Sequence, residues 1–337
     1  MATMNRRAFL ARTAIAAGAL GAASLVGDRL LRHREDLPWD DAAFAPPGTA
    51  RVAVLSATSY DDGLEDVVGE GLRAIGADVR GARVVLKPNL VEFDEGTAIN
   101  TDPRLVAAAV VALRRLGAAE VVVGEGPGHR RDTQFVVTTS GLLEALKAVD
   151  ARFVDLNTDA IRRVRLRSRY TELGELWLPR TITDADVVIS MPKMKTHHWA
   201  GVTLSLKNCF GCVPGRVYGW PKNALHWAGL EQSILDVAAA VRPDYAIVDG
   251  VVGMEGNGPI SGTPLTANVL IFGDDPVATD VIGARVMGFD PEKVEYLAEA
   301  ARFLGQGDME RIRNEGEEVD GVTTDFAVLP QFMSMKT

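Results

Sequence analysis

Short apolar runs alternate along this chain with stretches whose apolar positions recur every three or four residues. The runs at 51–57, 83–86, 120–123, 152–156, 186–189, 245–248 and 267–272 have the length and β-branched content of buried strands. The stretches at 64–75, 103–113, 142–149, 230–241, 276–286 and 292–304 carry a helical period. Two helix starts are marked by Asp followed by Pro, at Asp102-Pro103 and Asp275-Pro276, where Asp caps free amides and Pro suits the first helical position. Strands spaced by helices predict an α/β fold with a mostly parallel sheet and helices on both faces, a Rossmann-like layered architecture. The pattern fits a single domain over residues 51–330, with room for two subdomains.

The polar residues cluster where the strands end. The second run leads into Lys87-Pro88-Asn89, the third into Gly124-Glu125-Gly126, and the run at 186–189 into Lys193, Lys195, His197 and His198. The run at 245–248 leads into Asp249-Gly250 and then Glu255, and the last into Gly273-Asp274-Asp275. In a parallel sheet all carboxyl ends share one edge, and ligands bind there. Separate segments are therefore expected to meet at one rim. Lys87, Lys193, Lys195 and Lys207 are suited to an anion, with Asn89, Asn208 and the amides around Gly124 and Gly126 beside them. His197, Asp249 and Glu255 are the candidates for acid–base work. Asp249, Glu125 and Asp280 could together hold a divalent metal. On a strand the adjacent His197 and His198 would face opposite sides, so only His197 is assigned to the site. His129 follows the glycine segment as a weaker candidate, and His226 beside Trp227 reads as packing. Cys209 and Cys212 form a Cys-x-x-Cys pair, open to a disulfide or to metal binding.

Charge narrows the partner. Of 337 residues, 36 are Lys or Arg and 45 are Asp or Glu, a net charge of -9 that argues against nucleic acid and anionic membrane surfaces. The lysine-rich segment at 191–215 is thus a local exception, and an anionic small molecule is the expected partner. The amino terminus looks like a twin-arginine export signal. Arg6-Arg7 precedes Phe9-Leu10 and a stretch at 13–27 without charge. That resemblance implies passage of the folded protein through the export machinery to the periplasm or cell envelope, with membrane contact through residues 1–27 if they stay attached. Residues 28–50, with Pro46-Pro47 and no clean period, read as a tether.

Several of these segments resemble the domain of unknown function 362 family. They are Leu86-Lys87-Pro88-Asn89, the stretch from Met191 to His197, Leu206-Lys207-Asn208 with Gly211, Asp249-Gly250 with Gly253 to Gly256, and Asp275 to Asp280. The resemblance covers about residues 51–288. It implies fold boundaries and a site, and no reaction. Some relatives carry a ferredoxin-like iron–sulfur module, and with two cysteines this chain has no such module. Two functions fit the sequence: an enzyme acting on an anionic small molecule, with a divalent metal as a conceivable cofactor, or a non-catalytic metal or iron–sulfur redox carrier of the cell envelope.

Overall fold

The computed structural model describes residues 37–61, 63–128 and 132–337. The twin-arginine segment and His129 lie outside the described residues. Twelve strands and five principal helices position the site. They are β1 (Ala50–Ser56), α1 (Leu64–Ala74), β2 (Arg83–Pro88), α2 (Pro103–Arg115), β3 (Glu120–Glu125), α3 (Leu142–Ala148), β4 (Arg152–Asp155), β5 (Ile161–Arg165), β6 (Glu175–Pro179), β7 (Val187–Met191), β8 (Lys193–His197), β9 (Gly201–Thr203), α4 (Leu230–Val241), β10 (Tyr245–Glu255), β11 (Thr263–Gly273), α5 (Pro276–Val286) and β12 (Ile312–Gly316). The main sheet runs β12-β1-β11-β10-β7-β2-β3-β4. The neighbours β10, β7, β2, β3 and β4 are parallel, and β11 is antiparallel to both of its neighbours. This is the mostly parallel, two-sided architecture that the alternation of runs predicts.

Each face of the sheet is sealed by a different set of helices. On one face Val84, Leu86, Val121 and Val123 pack against Val68 and Leu72 of α1, Leu105, Val106, Ala109 and Leu113 of α2, and Leu142 and Leu146 of α3. On the other, Val85, Val188, Val248 and Ile271 meet α4 and α5. Both Asp-Pro starts cap as their chemistry demands. Asp102 accepts from the Arg104 amide, and Asp275 accepts from Val277 at 2.8 Å and Ala278 at 3.2 Å. Among the described residues no helix is long and apolar enough to cross a membrane.

Three features depart from the pattern reading. Residues 37–50 are packed rather than tethered. Trp39 and Phe44 are buried, and their rings each lie 5.0 Å from that of Phe303. A lone Trp and a lone Phe in a polar, Pro-rich stretch carry no period, so only their tertiary contacts reveal them. The basic stretch after β4 is the antiparallel hairpin β5–β6. The third departure concerns β10, which runs on past Asp249 to Glu255, so Asp249 is mid-strand and fully buried. Gly250 and Gly253 interrupt the apolar run and look like a turn. They are glycine because β8 crosses too closely: a Cβ at Gly253 would lie 2.8 Å from the Met194 carbonyl oxygen.

Candidate functional site

Strand order reverses between β2 and β7. From β2 the chain steps outward through β3 to β4, then returns to β7 on the other side of β2. Such a switch point opens a crevice at the carboxyl ends of the strands. Here it becomes a cavity of about 600 Å³, within the usual range for small-molecule sites. The ends of β2 and β3, strand β8, and the segments 207–211 and 221–227 line it.

Its floor is the ion pair Lys87–Glu125. Both side chains are 1% exposed, with Nζ to Oε2 at 2.5 Å. Lys87 also donates to the Asn208 Oδ1 and the Pro88 carbonyl, each at 3.0 Å. The Asn208 amide donates back to the Lys87 carbonyl and to Ser190 Oγ. Gly211 makes this possible: a Cβ there would lie 1.8 Å from Glu125 Oε1. Lys195 donates at 2.7 Å to both Asn89 Oδ1 and the Ile99 carbonyl, and burial, then Lys207 and Lys193, hold its amine well below the usual lysine range. Lys222 donates to the carbonyls of Gly126 and Phe210. Burial pushes the Lys222 amine down to about 8.

Lys207 differs from the other three. Its ammonium lies 4.8 Å from the centre of the Phe210 ring, and among the described residues it has neither a hydrogen bond nor an ion pair. Burial pushes its amine down to about 8. Among the described residues, four lining lysines face one lining carboxylate, and that carboxylate is already paired with Lys87. A desolvated cation without a counterion leaves an electrostatic demand in the cavity that an anion would meet.

Both histidines line the cavity, and their rings stack at 4.9 Å. The opposite-face expectation fails because β8 ends at His197 and the alternation ends with it. His197 Nδ1 accepts from the amides of Trp199 at 3.1 Å and Ala200 at 3.2 Å, which assigns its proton to Nε2. Burial first, then the charge of Lys207, holds its imidazole well below the usual histidine range, so it is neutral near pH 7. His198 Nδ1 sits 2.7 Å from the Gly258 carbonyl oxygen and must donate to it. In neutral form the pair therefore presents a donor at His197 Nε2 and a lone pair at His198 Nε2.

The remaining expected site residues are placed elsewhere. Lys193 and Asp249 form a separate buried cluster at 2.6 Å with Tyr60, whose hydroxyl donates to Asp249 at 2.6 Å. Glu255 accepts from the Ala327 amide at the far end of β10. Asp280 accepts from the amides of Ser205 and Leu206, capping the short helix Ser205–Asn208 that carries Lys207. Burial pushes the Asp280 carboxyl up to about 8. Glu125, Asp249 and Asp280 are thus not brought together, and the described residues contain no group of three or more His, Cys, Asp or Glu able to hold a metal ion. Cys209 and Cys212 are buried free thiols, raised by burial, Cys212 to about 12. Gly124 lies inside β3, where a Cβ would crowd Leu156 at 3.1 Å, and the Gly126 amide donates to Glu125 Oε1. The expected cradle of free amides is not formed.

His198, set aside as facing away, and His226, read as packing beside Trp227, both line the cavity, as do Trp227 and the unassigned Lys222 and Trp199. The only available signal was the density of aromatic residues and histidine between 197 and 227. Lys222, one cation in a loop, had none.

Comparison with known proteins gives the chain its place. A family model described as "Domain of unknown function (DUF362)" matches residues 84–285, which contain the cavity floor, β8 and Lys207. The chain belongs to this family. A thylakoid-associated protein of Synechocystis sp. is 31% identical over 264 residues, covering 75% of this chain and 79% of that protein. Among solved structures, the lactate racemase apoprotein of Thermoanaerobacterium thermosaccharolyticum is similar at a TM-score of 0.44 and 14% identity, covering 72% of this chain and 57% of that one. A Thermotoga maritima protein is similar at a TM-score of 0.35 and 13% identity, covering 62% and 55%. The DUF362 chain thus spans little more than half the length of these two solved structures.

Proposed function

We propose that this DUF362 protein is an enzyme that binds a small anionic molecule in the cavity at the carboxyl edge of its sheet. Lys207 serves as the principal counterion. His197 donates through Nε2–H, and His198 Nε2 accepts a proton. The observation that carries this reading is a Lys207 ammonium with no hydrogen-bond or ion-pair partner among the described residues, in a cavity whose one described lining carboxylate is already paired. The alternative of a metal or cluster carrier needs a set of donor ligands, and the described residues do not gather one. The twin-arginine pattern at Arg6-Arg7 supports export of the folded protein, to be checked by fractionation of cells that make the full chain.

Isothermal titration with benzoate, oxalate and inorganic phosphate tests the site. Lys207→Ala is expected to weaken the binding of any of these that binds by roughly 10- to 100-fold, the usual worth of a charged hydrogen bond. Unchanged affinity in a variant with wild-type Tm would refute the reading. The pH dependence has a definite sign. The anion prefers the ammonium form, and Lys207 and Lys222 lose that form above about 8. Affinity should therefore hold from pH 6 to 7.5 and fall by about tenfold per amine by pH 9. A flat profile across that range would contradict a lysine counterion.

A further inference from the structure

One wall of the cavity is a run of rings packed edge to face, each turned by about 70° from the next. His198 meets Trp199 at 4.4 Å, Trp199 meets His226 at 5.6 Å, and His226 meets Phe210 at 6.2 Å. Phe210 in turn carries the Lys207 ammonium against its face. The cation thus sits at one end of an aromatic surface, at a spacing set by the protein. Trp199 is 60% exposed and Trp227 81%, large apolar faces left in water at the cavity mouth. Beyond the free Nε2 atoms of His197 and His198, much of the polar lining is already committed within the protein. Lys87, Lys195, Lys222 and Asn208 spend hydrogen bonds on Glu125, Asn89, Ser190, one another or backbone carbonyls. A flat ring bearing one acidic group matches a lining of ring faces, one uncommitted cation and two imidazole nitrogens.

We infer that the natural ligand is an aromatic acid: its ring packs on the exposed Trp199 face of the Trp199–His226–Phe210 wall and its anionic group meets Lys207. This inference rests on the anion-site reading above and adds the scaffold of the molecule.

The test compares two acids of equal charge on the full chain, 1-naphthoate and its saturated counterpart decahydro-1-naphthoate, by isothermal titration and tryptophan fluorescence. Naphthoate is expected to bind more tightly by up to about tenfold, the upper range for packing on an aromatic face. It should also quench Trp emission. Trp199→Ala, at an exposed position, should bring the two acids within about threefold by weakening naphthoate more than the saturated acid. Lys207→Met should weaken both. Equal affinities with a shared dependence on Lys207 would overturn the aromatic inference and leave the anion site standing. A preference that survives both Trp199→Ala and Trp227→Ala would overturn it too. Failure of both acids to bind at millimolar concentration, while oxalate or phosphate binds through Lys207, would overturn the aromatic inference alone; failure of every one of these anions would remove both readings.

Discussion

Asp249→Ala is expected to lower the unfolding free energy by about 3–5 kcal/mol, the cost of leaving a buried partner charge uncompensated. The carboxylate is fully buried in mid-strand. It accepts from the Tyr60 hydroxyl at 2.6 Å, the Lys193 ammonium at 2.6 Å and the Asp102 amide at 2.9 Å. Burial and the Asp249 charge hold the Tyr60 phenol far above its ordinary range, so it stays a donor. Removal of Asp249 strands a Lys193 ammonium that is 3% exposed, together with a phenol and an amide. Urea unfolding with linear extrapolation measures the loss. Samples that remain folded should keep the anion affinity and its decline above pH 8, because Lys193 and Asp249 do not line the cavity. The double variant Lys193→Met with Asp249→Leu should recover much of the loss. Loss of ligand binding at wild-type stability would instead restore Asp249 to the catalytic role that its position before Gly250 suggests in sequence.

Glu125→Gln carries an effect of similar size, about 3–5 kcal/mol, for a related reason. The pair it forms with Lys87 ties the ends of β2 and β3 to the short helix that presents Lys207. Neutralising Glu125 leaves the Lys87 ammonium with neutral acceptors alone and no counterion. Gly211 is pressed against the pair, so neither side chain has space to turn toward water. The surface pair Arg115–Glu65 is the control, with side chains 58% and 42% exposed. Glu65→Gln should cost at most about 1 kcal/mol, since solvent screens exposed pairs. Comparable losses for Glu65→Gln and Glu125→Gln would show that burial of the Lys87 pair is not what sustains it. Lys87→Met with Glu125→Leu should restore part of the stability and lower ligand affinity through the altered floor.

Much of this was legible along the chain. Periodicity placed most strands and principal helices, because burial on one or two faces of a sheet imposes a local pattern. Asp102 and Asp275 announced helix starts, because a cap acts within three residues. The parallel order then brought Lys87, Glu125, Lys195, His197 and Lys207 to one edge. Their chemical fates were not legible. Lys87 finds Glu125 38 positions away and Asn208 121 away, Lys193 finds Tyr60 133 away, and Lys195 finds Asn89 106 away. Four lysines that look alike in sequence become two counterions in separate buried pairs, one backbone clamp and one free charge. The sequence by itself determined the layers and the edge at which charge would collect, since both follow from near-neighbour patterning. Only the tertiary structure decided which charge stays unanswered, because electrostatic neutralisation depends on distance in space and on the water that folding removes.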